Sequence, residues 1–337
     1  MSVVTKDVWE ICEQDFPGTA PIELQLRFLL RYAILAPSTR NTQPWRFAVE
    51  GNTVQLFADT ERGQPVSDPD ERELYISLGC TLENLLVAAE HFGFRHEVTY
   101  FPEFGNTELA ASVAFAPGGT PSPARAGITL DTIKRRHNDN SVYRSVPLPE
   151  DIRRRLQACR VEPELRLDLT DDRLFRRWVE QLTLEADHLE FADPTFREEL
   201  GYWIGQGVFG MPKVLSRLGS LAVSRLDLGD PVAKQDWKIV ESAAVLGLVS
   251  ATSDTHLVHV RTGQLFERLW LTATAMAISV HPMSQTMRHR EPRAAMAELL
   301  PARGWVPQHL FRVGYSFREG EPYLPTPRRP LGDVLAD

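Results

Sequence analysis

Residues 22–36 (IELQLRFLLRYAILA) repeat apolar side chains at three- and four-residue intervals. That spacing predicts an amphipathic helix, which Pro37 ends. The period then changes: "WRFAVEGNTVQLFAD" predicts two short strands joined at Gly51-Asn52 as a hairpin. Residues 71–94 return to helical spacing, with Gly93 placed as a C-cap. "HEVTYF" and "ASVAFAPGG" predict further strands, and residues 117–127 (PGGTPSPARAG) read as a linker. A second series follows. It has a helix start at "LDTIKRRHND", a loop entering a helix at "VPLPEDIRRRLQAC", and helix across 172–206. Residues 241–251 (ESAAVLGLVSA) are a continuous apolar run of buried-strand type, 262–279 an apolar-striped helix, and 309–317 a late strand. The tail "YLPTPRRPLGDVL" is Pro-rich and extended. Each series reads helix, strands, long helix, strands. The expected architecture is therefore α+β in two halves, residues 1–120 and 121–337.

Composition narrows the partners. Of 337 residues, 43% are hydrophobic and 24% charged, as in ordinary globular chains. The formal net charge of −8 argues against a nucleic-acid footprint. Cys12, Cys80 and Cys159 are isolated and form no metal spacing, which fits a reducing compartment. The start lacks the order of a signal peptide, and the longest apolar runs, near 243–251 and 269–280, are too short to cross a bilayer. A soluble cytoplasmic protein is expected, with neither membrane nor nucleic acid as partner.

Several motifs carry little. Gly205, Gly207 and Gly210 form a GxGxxG, with Asp227 about twenty residues on. A dinucleotide fingerprint must follow a strand and open a helix, whereas "FREELGYWI" before it reads as helix and Pro212 comes soon after. A flexible Gly-rich loop or lid is the better reading. The histidines make no HExxH or i, i+4 pair, so no metal site is expected; His256 and His259 are read as flanking a strand end. GxSxG and GxxxxGK[ST] are missing.

Two basic clusters and one polar loop carry more. Arg135, Arg136 and His137 open the second half, and Arg328 and Arg329 lie in the tail, beside helix-start signals or prolines. Such clusters suit a phosphate monoester, held by bidentate charge-assisted hydrogen bonds. Between Pro37 and Pro44-Trp45 run Ser38, Thr39, Arg40, Asn41, Thr42 and Gln43. Ser38, Thr39, Asn41 and Gln43 offer the mixed donors and acceptors that a uracil-like ring edge requires, and Arg40 adds positive charge for a reduced, anionic ring. A turn stitched by local side-chain–backbone bonds is the alternative.

"APSTRNTQPWRF" resembles the APSxxNxQPW loop of the FMN-dependent nitroreductase family. "IKRRHNDNSVYRSVPLPEDI" resembles that family's RRSxRxF opening, "PRRPLGDVL" its closing Arg-containing arm, and "GQLFERLWLTATAMAISVHPMSQ" its central-helix region. The loop lies only in the first half and the arginine clusters only in the second. With "DPDERELYISLGCTLENLL", this division is similar to the longer, two-module Acg-type branch. The resemblance covers most of residues 22–335. It implies a nitroreductase-like fold in which two covalently fused half-modules form a pseudo-dimer with one FMN site per chain. Arg135, Arg136, Arg328 and Arg329 would grip the FMN phosphate and ribityl end, and His137 stands where the family carries Ser or His. Ser38, Thr39, Asn41 and Gln43 would reach the isoalloxazine across the seam. One departure is Asp139-Asn140, where the family has a further Arg; Arg144 is the expected substitute. The implied chemistry is ping-pong, with hydride passing from NAD(P)H as co-substrate, through the flavin, to a nitroaromatic, quinone or similar small-molecule acceptor. Two alternatives keep the fold: a non-catalytic FMN-storage protein lidded by residues 201–212 or the tail, and a dedicated biosynthetic flavin dehydrogenase. Either a monomeric pseudo-dimer or a homodimer fits.

Overall fold

The structure is a computed structural model that describes residues 6–300, 303–318 and 325–336. The first half opens with α1 (Ile22–Ala33), whose apolar stripe is buried. Strands β1 (Trp45–Glu50) and β2 (Thr53–Ala58) form the expected hairpin. Next come α2 (Arg72–His91), β3 (Phe94–Tyr100) and β4 (Leu109–Pro117), giving an antiparallel sheet of order β1-β2-β4-β3. Gly93 takes φ 77° just past α2, where a side chain would be strained.

The second half begins with α3 (Leu130–Arg135), β5 (Tyr143–Arg144), α4 (Glu150–Gln157) and β6 (Leu165–Thr170). The helical stretch expected across 172–206 is two helices, α5 (Arg173–Ala192) and α6 (Pro194–Gly205). Pro194 cannot continue a helix but suits the first turn of a new one, with the Asp193 side chain as cap. Then follow α7 (Lys213–Arg225), α8 (Gly229–Glu241), β7 (Val245–Ala251) and α9 (His256–Ala275). The half ends with β8 (Ser279–Pro282), α10 (Gln285–Arg288), α11 (Arg290–Glu298) and β9 (Val306–Ser316). Its sheet has order β5-β9-β7-β6, with β8 also paired to β9. Helix α9 starts earlier than its apolar stripe indicates, because Thr255 caps it. His256 and His259 therefore lie in its first turns rather than beside a strand end; His259 pairs with Asp254 at 2.9 Å.

The two long helices cross back to back through glycines. A Cβ on Gly79 of α2 would lie 1.9 Å from the Val260 carbonyl oxygen, and one on Gly263 of α9 would lie 1.9 Å from that of Ile76. Without side chains there, the backbones approach closely, and one apolar core runs through both halves. At one end of the crossing the carboxylate of Glu83 is fully buried between Arg125 (2.7 Å) and Arg268 (2.8 Å). The tail returns to the first sheet: Phe47 and Ala336 exchange backbone bonds at 2.7 Å with Val334 and Phe47. Residues 323 and 324 of the expected extended tail lie outside the described residues.

Candidate functional site

The polar loop is a strained turn. Arg40, Asn41 and Gln43 take φ of 50°, 55° and 53°, each costing roughly 1–3 kcal/mol and persisting only where surroundings impose it. Those surroundings are visible. The Ser38 hydroxyl accepts the Gln43 N–H at 2.9 Å, and the Gln43 side chain donates to the Asn41 carbonyl at 3.3 Å. Trp45, fully buried, anchors the exit. Local stitching therefore accounts for these bonds of Ser38 and Gln43, while Thr39, Arg40 and Asn41 bond to other parts of the chain.

Ser38, Thr39 and Arg40 line a cavity of about 210 Å³ beside the helix crossing. One face of α2 contributes Glu73, Ile76, Ser77 and Cys80, spaced as a single helical stripe. Helix α9 adds Phe266 and Trp270, one turn apart. Asn138, the β8–α10 segment and His309 of β9 close it, so both halves build the wall. Within it, the Glu73 carboxylate accepts from Thr39 (2.8 Å) and Ser284 (2.9 Å) and pairs with Arg72 at 2.9 Å. Burial would raise its pKa; Arg72 and His309 overcome that and hold it at about 2. His309 is 3% exposed, neither ring nitrogen has a protein hydrogen bond, and burial depresses it to about 4. A neutral imidazole thus faces the cavity, able to donate or accept toward a bound molecule.

Two of the arginines gather outside that lining, one against Trp270 and the other against Asn41. Arg136 and Arg328 are buried, at 3% and 2% exposure, and each has an Nε without a hydrogen bond. Arg136 pairs with Glu267 at 3.4 Å and lies over the Trp270 ring. Arg328 donates to Asn41 Oδ1 (3.0 Å), the Thr326 hydroxyl (2.6 Å) and the Leu35 carbonyl (3.1 Å). Burial and the neighbouring Arg136 lower Arg328 to about 9, and burial raises Glu267 to about 7. Two buried cations share one weakly charged carboxylate, an arrangement that favours an anion between them.

Other expected residues take different places. Arg135 is on the surface, paired with Asp131 at 2.6 Å in an i, i+4 contact. His137 stacks on Trp9, and burial lowers it to about 4. Arg329 bonds Asp59 at 3.1 Å and, through its backbone, Gln43 Oε1 at 2.7 Å. Arg144 sits exposed on the short β5 and does not line the cavity; Arg312, buried, donates instead to the carbonyls of Asp139 and Ser141. The GxGxxG segment follows α6, a helix, so no dinucleotide fingerprint exists there. It packs on the loop instead. Asn41 donates to the Val208 carbonyl at 2.7 Å, and Arg40 pairs with Glu199 at 2.9 Å beneath the Phe196 ring. Glu73, Ser284 and His309 were not singled out from the sequence. The only local signal of Glu73 and His309 is a polar residue inside a buried element, and Ser284, in the short link between β8 and α10, has none.

Among the described residues no cluster of three or more His, Cys, Asp or Glu could hold a metal, and no helix is long and apolar enough to cross a membrane.

No family model matches the chain. Among curated proteins, "Putative NAD(P)H nitroreductase Rv3131" of Mycobacterium tuberculosis H37Rv is 33% identical over 321 residues, covering 92% of this chain and 90% of its own. The chain belongs to the NAD(P)H nitroreductase family. Its fold is α+β, with a four-stranded sheet in the first half of the chain and a five-stranded sheet in the second. "Probable NAD(P)H nitroreductase PigM" of Serratia sp. is 26% identical over 345 residues and covers 93% of each chain. "Putative NAD(P)H nitroreductase acg" of M. tuberculosis H37Rv is 26% identical over 329 residues, covering 95% of this chain and 97% of its own. Among solved structures, the FMN-dependent nitroreductase NfnB from Mycobacterium smegmatis in complex with NADPH has TM-score 0.41 and 14% identity. It covers 60% of this nitroreductase-family chain and 94% of its own.

Proposed function

We propose that this nitroreductase-family protein binds one FMN per chain and passes hydride from NAD(P)H to a small acceptor, a nitroaromatic or quinone, in ping-pong order. The observation that carries it is the cavity between the halves, walled by the polar loop, the faces of α2 and α9, and His309. The same reading divides the chain into residues 1–120 and 121–337.

The residues suit the cofactor in kind. Phe266 and Trp270 supply apolar wall, and the hydroxyls of Thr39 and Ser284 with both His309 nitrogens supply ring-edge partners. Arg136 and Arg328 are the phosphate grip: the Arg328 Nε has no hydrogen bond, and the Arg136 Nε has only the 3.4 Å ion pair with Glu267. Arg328 must then exchange its Asn41 and carbonyl partners for phosphate oxygens. The flavin, when bound, supplies the hydride chemistry, so the chain needs no acid–base dyad of its own. What the chain does is orient and bias. Thr39 and Ser284 are held in place by Glu73. His309, neutral above about pH 4, donates without adding a positive charge. Phe266 and Trp270 give the cavity one apolar wall.

A flavin-storage reading is favoured by one observation: α6 and the segment after it cover the loop through the Arg40–Glu199 and Asn41–Val208 contacts. Rapid mixing of the FMN-loaded protein with NADH or NADPH separates the two. Bleaching of the flavin absorbance followed by reoxidation with menadione supports the enzyme; loaded protein that stays yellow supports storage. Protein that takes up no FMN at all refutes both.

A further inference from the structure

A second cavity, of about 390 Å³, lies next to the first and is assigned no role by the reading above. The same stretch of chain walls both: α10 and the Arg288 side chain line the first, and Arg288 with α11 lines the second. Its composition is unlike that of the first. Arg288, Arg290 and Arg293 line it together with Trp305, Pro307 and Asp70.

The three guanidinium groups are differently committed. Arg293 is held by Asp254 at 2.8 Å, Asp70 at 3.6 Å and the Pro307 carbonyl at 2.9 Å. Arg288 pairs with Glu190 at 2.9 Å, and its buried Nε has no hydrogen bond. Arg290 is exposed and has no ion-pair partner among the described residues. A pinned fork, a half-satisfied fork and an uncommitted one beside an indole face make a site for a phosphorylated aromatic molecule. Guanidinium groups match phosphate oxygens in pairs, and a base stacks on an indole without regard to its own hydrogen-bonding pattern.

We propose that this cavity receives the adenosine 2′-phosphate end of NADPH while the nicotinamide occupies the first cavity. The proposal rests on the reading that a reduced nicotinamide nucleotide is the electron source. Trp305 carries the adenine, Arg290 and Arg293 take the 2′-phosphate, and Asp70 accepts from a ribose hydroxyl. Arg288 stands where the two cavities adjoin, beside the pyrophosphate. The protein accordingly selects NADPH over NADH through Arg290, which lines the second cavity and not the first.

The test uses the full-length, FMN-incubated protein and calorimetric titration with adenosine 2′,5′-bisphosphate and, separately, with AMP. The bisphosphate is expected to bind about tenfold or more tightly than AMP, the scale of one charge-assisted phosphate contact. Arg290→Glu should remove most of that preference while leaving AMP binding in place, and Trp305→Ala should weaken both ligands. In the same preparations, Arg290→Glu should raise KM for NADPH and leave KM for NADH and the flavin spectrum alone. Equal affinity for the two probes, or a preference that survives Arg290→Glu, overturns the proposal. Its failure is distinct from failure of the functional reading, which is recorded as absent flavin uptake or as flavin that neither nucleotide bleaches. Preferential binding of the bisphosphate is read without any turnover.

Discussion

Replacing Gly263 with Ala tests the packing on which the site is built. The new Cβ would sit 1.9 Å from the Ile76 carbonyl oxygen, where ordinary contact begins at 3.4 Å. The atom it meets is backbone, so no side chain can swing aside; α2 and α9 must part by the difference, about 1.5 Å. A gap of 0.5–1 Å already forfeits roughly a quarter to a half of a dispersion contact, and Leu78, Leu82, Val260 and Leu271 in these two helices are buried in the shared core. Overpacking of this kind costs about 1–3 kcal/mol or somewhat more, and the better helix propensity of Ala returns about 1 kcal/mol. Because the obstacle is backbone and both helices must shift, the cost is placed above that range, at about 3–4 kcal/mol, which leaves a net loss of about 2–3 kcal/mol. At roughly 2.1 cal/mol/K per residue over 337 residues, that lowers Tm by roughly 3–4 °C. Differential scanning calorimetry and urea unfolding measure it, with Gly332→Ala as control, since nothing lies near a Cβ there. FMN uptake should weaken in parallel, because Ile76 and Phe266 flank the crossing and wall the cavity. A Gly263→Ala protein that melts within about 1 °C of the parent, with unchanged FMN affinity, would refute the reasoning.

Other expectations follow from single groups. Glu83→Gln removes the carboxylate between buried Arg268 and half-buried Arg125, leaving them Glu162 and Glu90, and should cost about 3 kcal/mol in urea unfolding. Burial opposes ionisation of Glu83, but Arg125 and Arg268 hold its pKa at about 2, below the ordinary 4.5. Its contribution is therefore complete above pH 4.5 and drains away as pH falls toward 2, so parent and variant stabilities should converge there. Asp187 behaves oppositely: burial, Asp236 and Glu190 raise it to about 8, so folding favours its neutral form and loses stability as pH rises from 3.8 through 8. Asp187→Asn should raise Tm, and by more at pH 8 than at pH 5; an equal or negative change at both would refute this. Arg328→Met should weaken FMN binding tenfold or more in a fluorescence-quenching titration, since a charge-assisted phosphate contact is worth about 1.5–3 kcal/mol; unchanged affinity removes Arg328 from the site.

The long elements were legible because their periods are strong: the stripes of α1 and α9 and the unbroken run of β7 each leave one structural solution. Strand β6 carries an equally clear alternation at Leu165, Leu167 and Leu169. Helices α7 and α8 were harder to see. Val214, Leu215, Leu218 and Leu221 point to solvent in α7, so its apolar residues do not mark a core-facing stripe. In the site, the loop and the arginine clusters were visible as local anomalies of composition. Which of them would face the cavity was not visible, because it depends on tertiary contacts. Arg135 goes to the surface when α3 stops after it, whereas Arg136 turns inward to Glu267. Glu73 and His309 meet only because β9 runs beside the start of α2, a convergence across more than two hundred residues that no local pattern announces.

The fused halves also bear on how the protein behaves when scarce. Walls drawn from residues 37–40, 73–80, 266–270 and 309 belong to one covalent chain, so their meeting does not depend on encounter between molecules. A cavity built between two separate subunits empties of structure as the solution is thinned past the dissociation constant of the pair. Here the effective concentration of one half for the other is set by the linker and never falls. The protein should therefore keep its binding capacity at nanomolar levels, and its expression can be turned very low without dismantling the site.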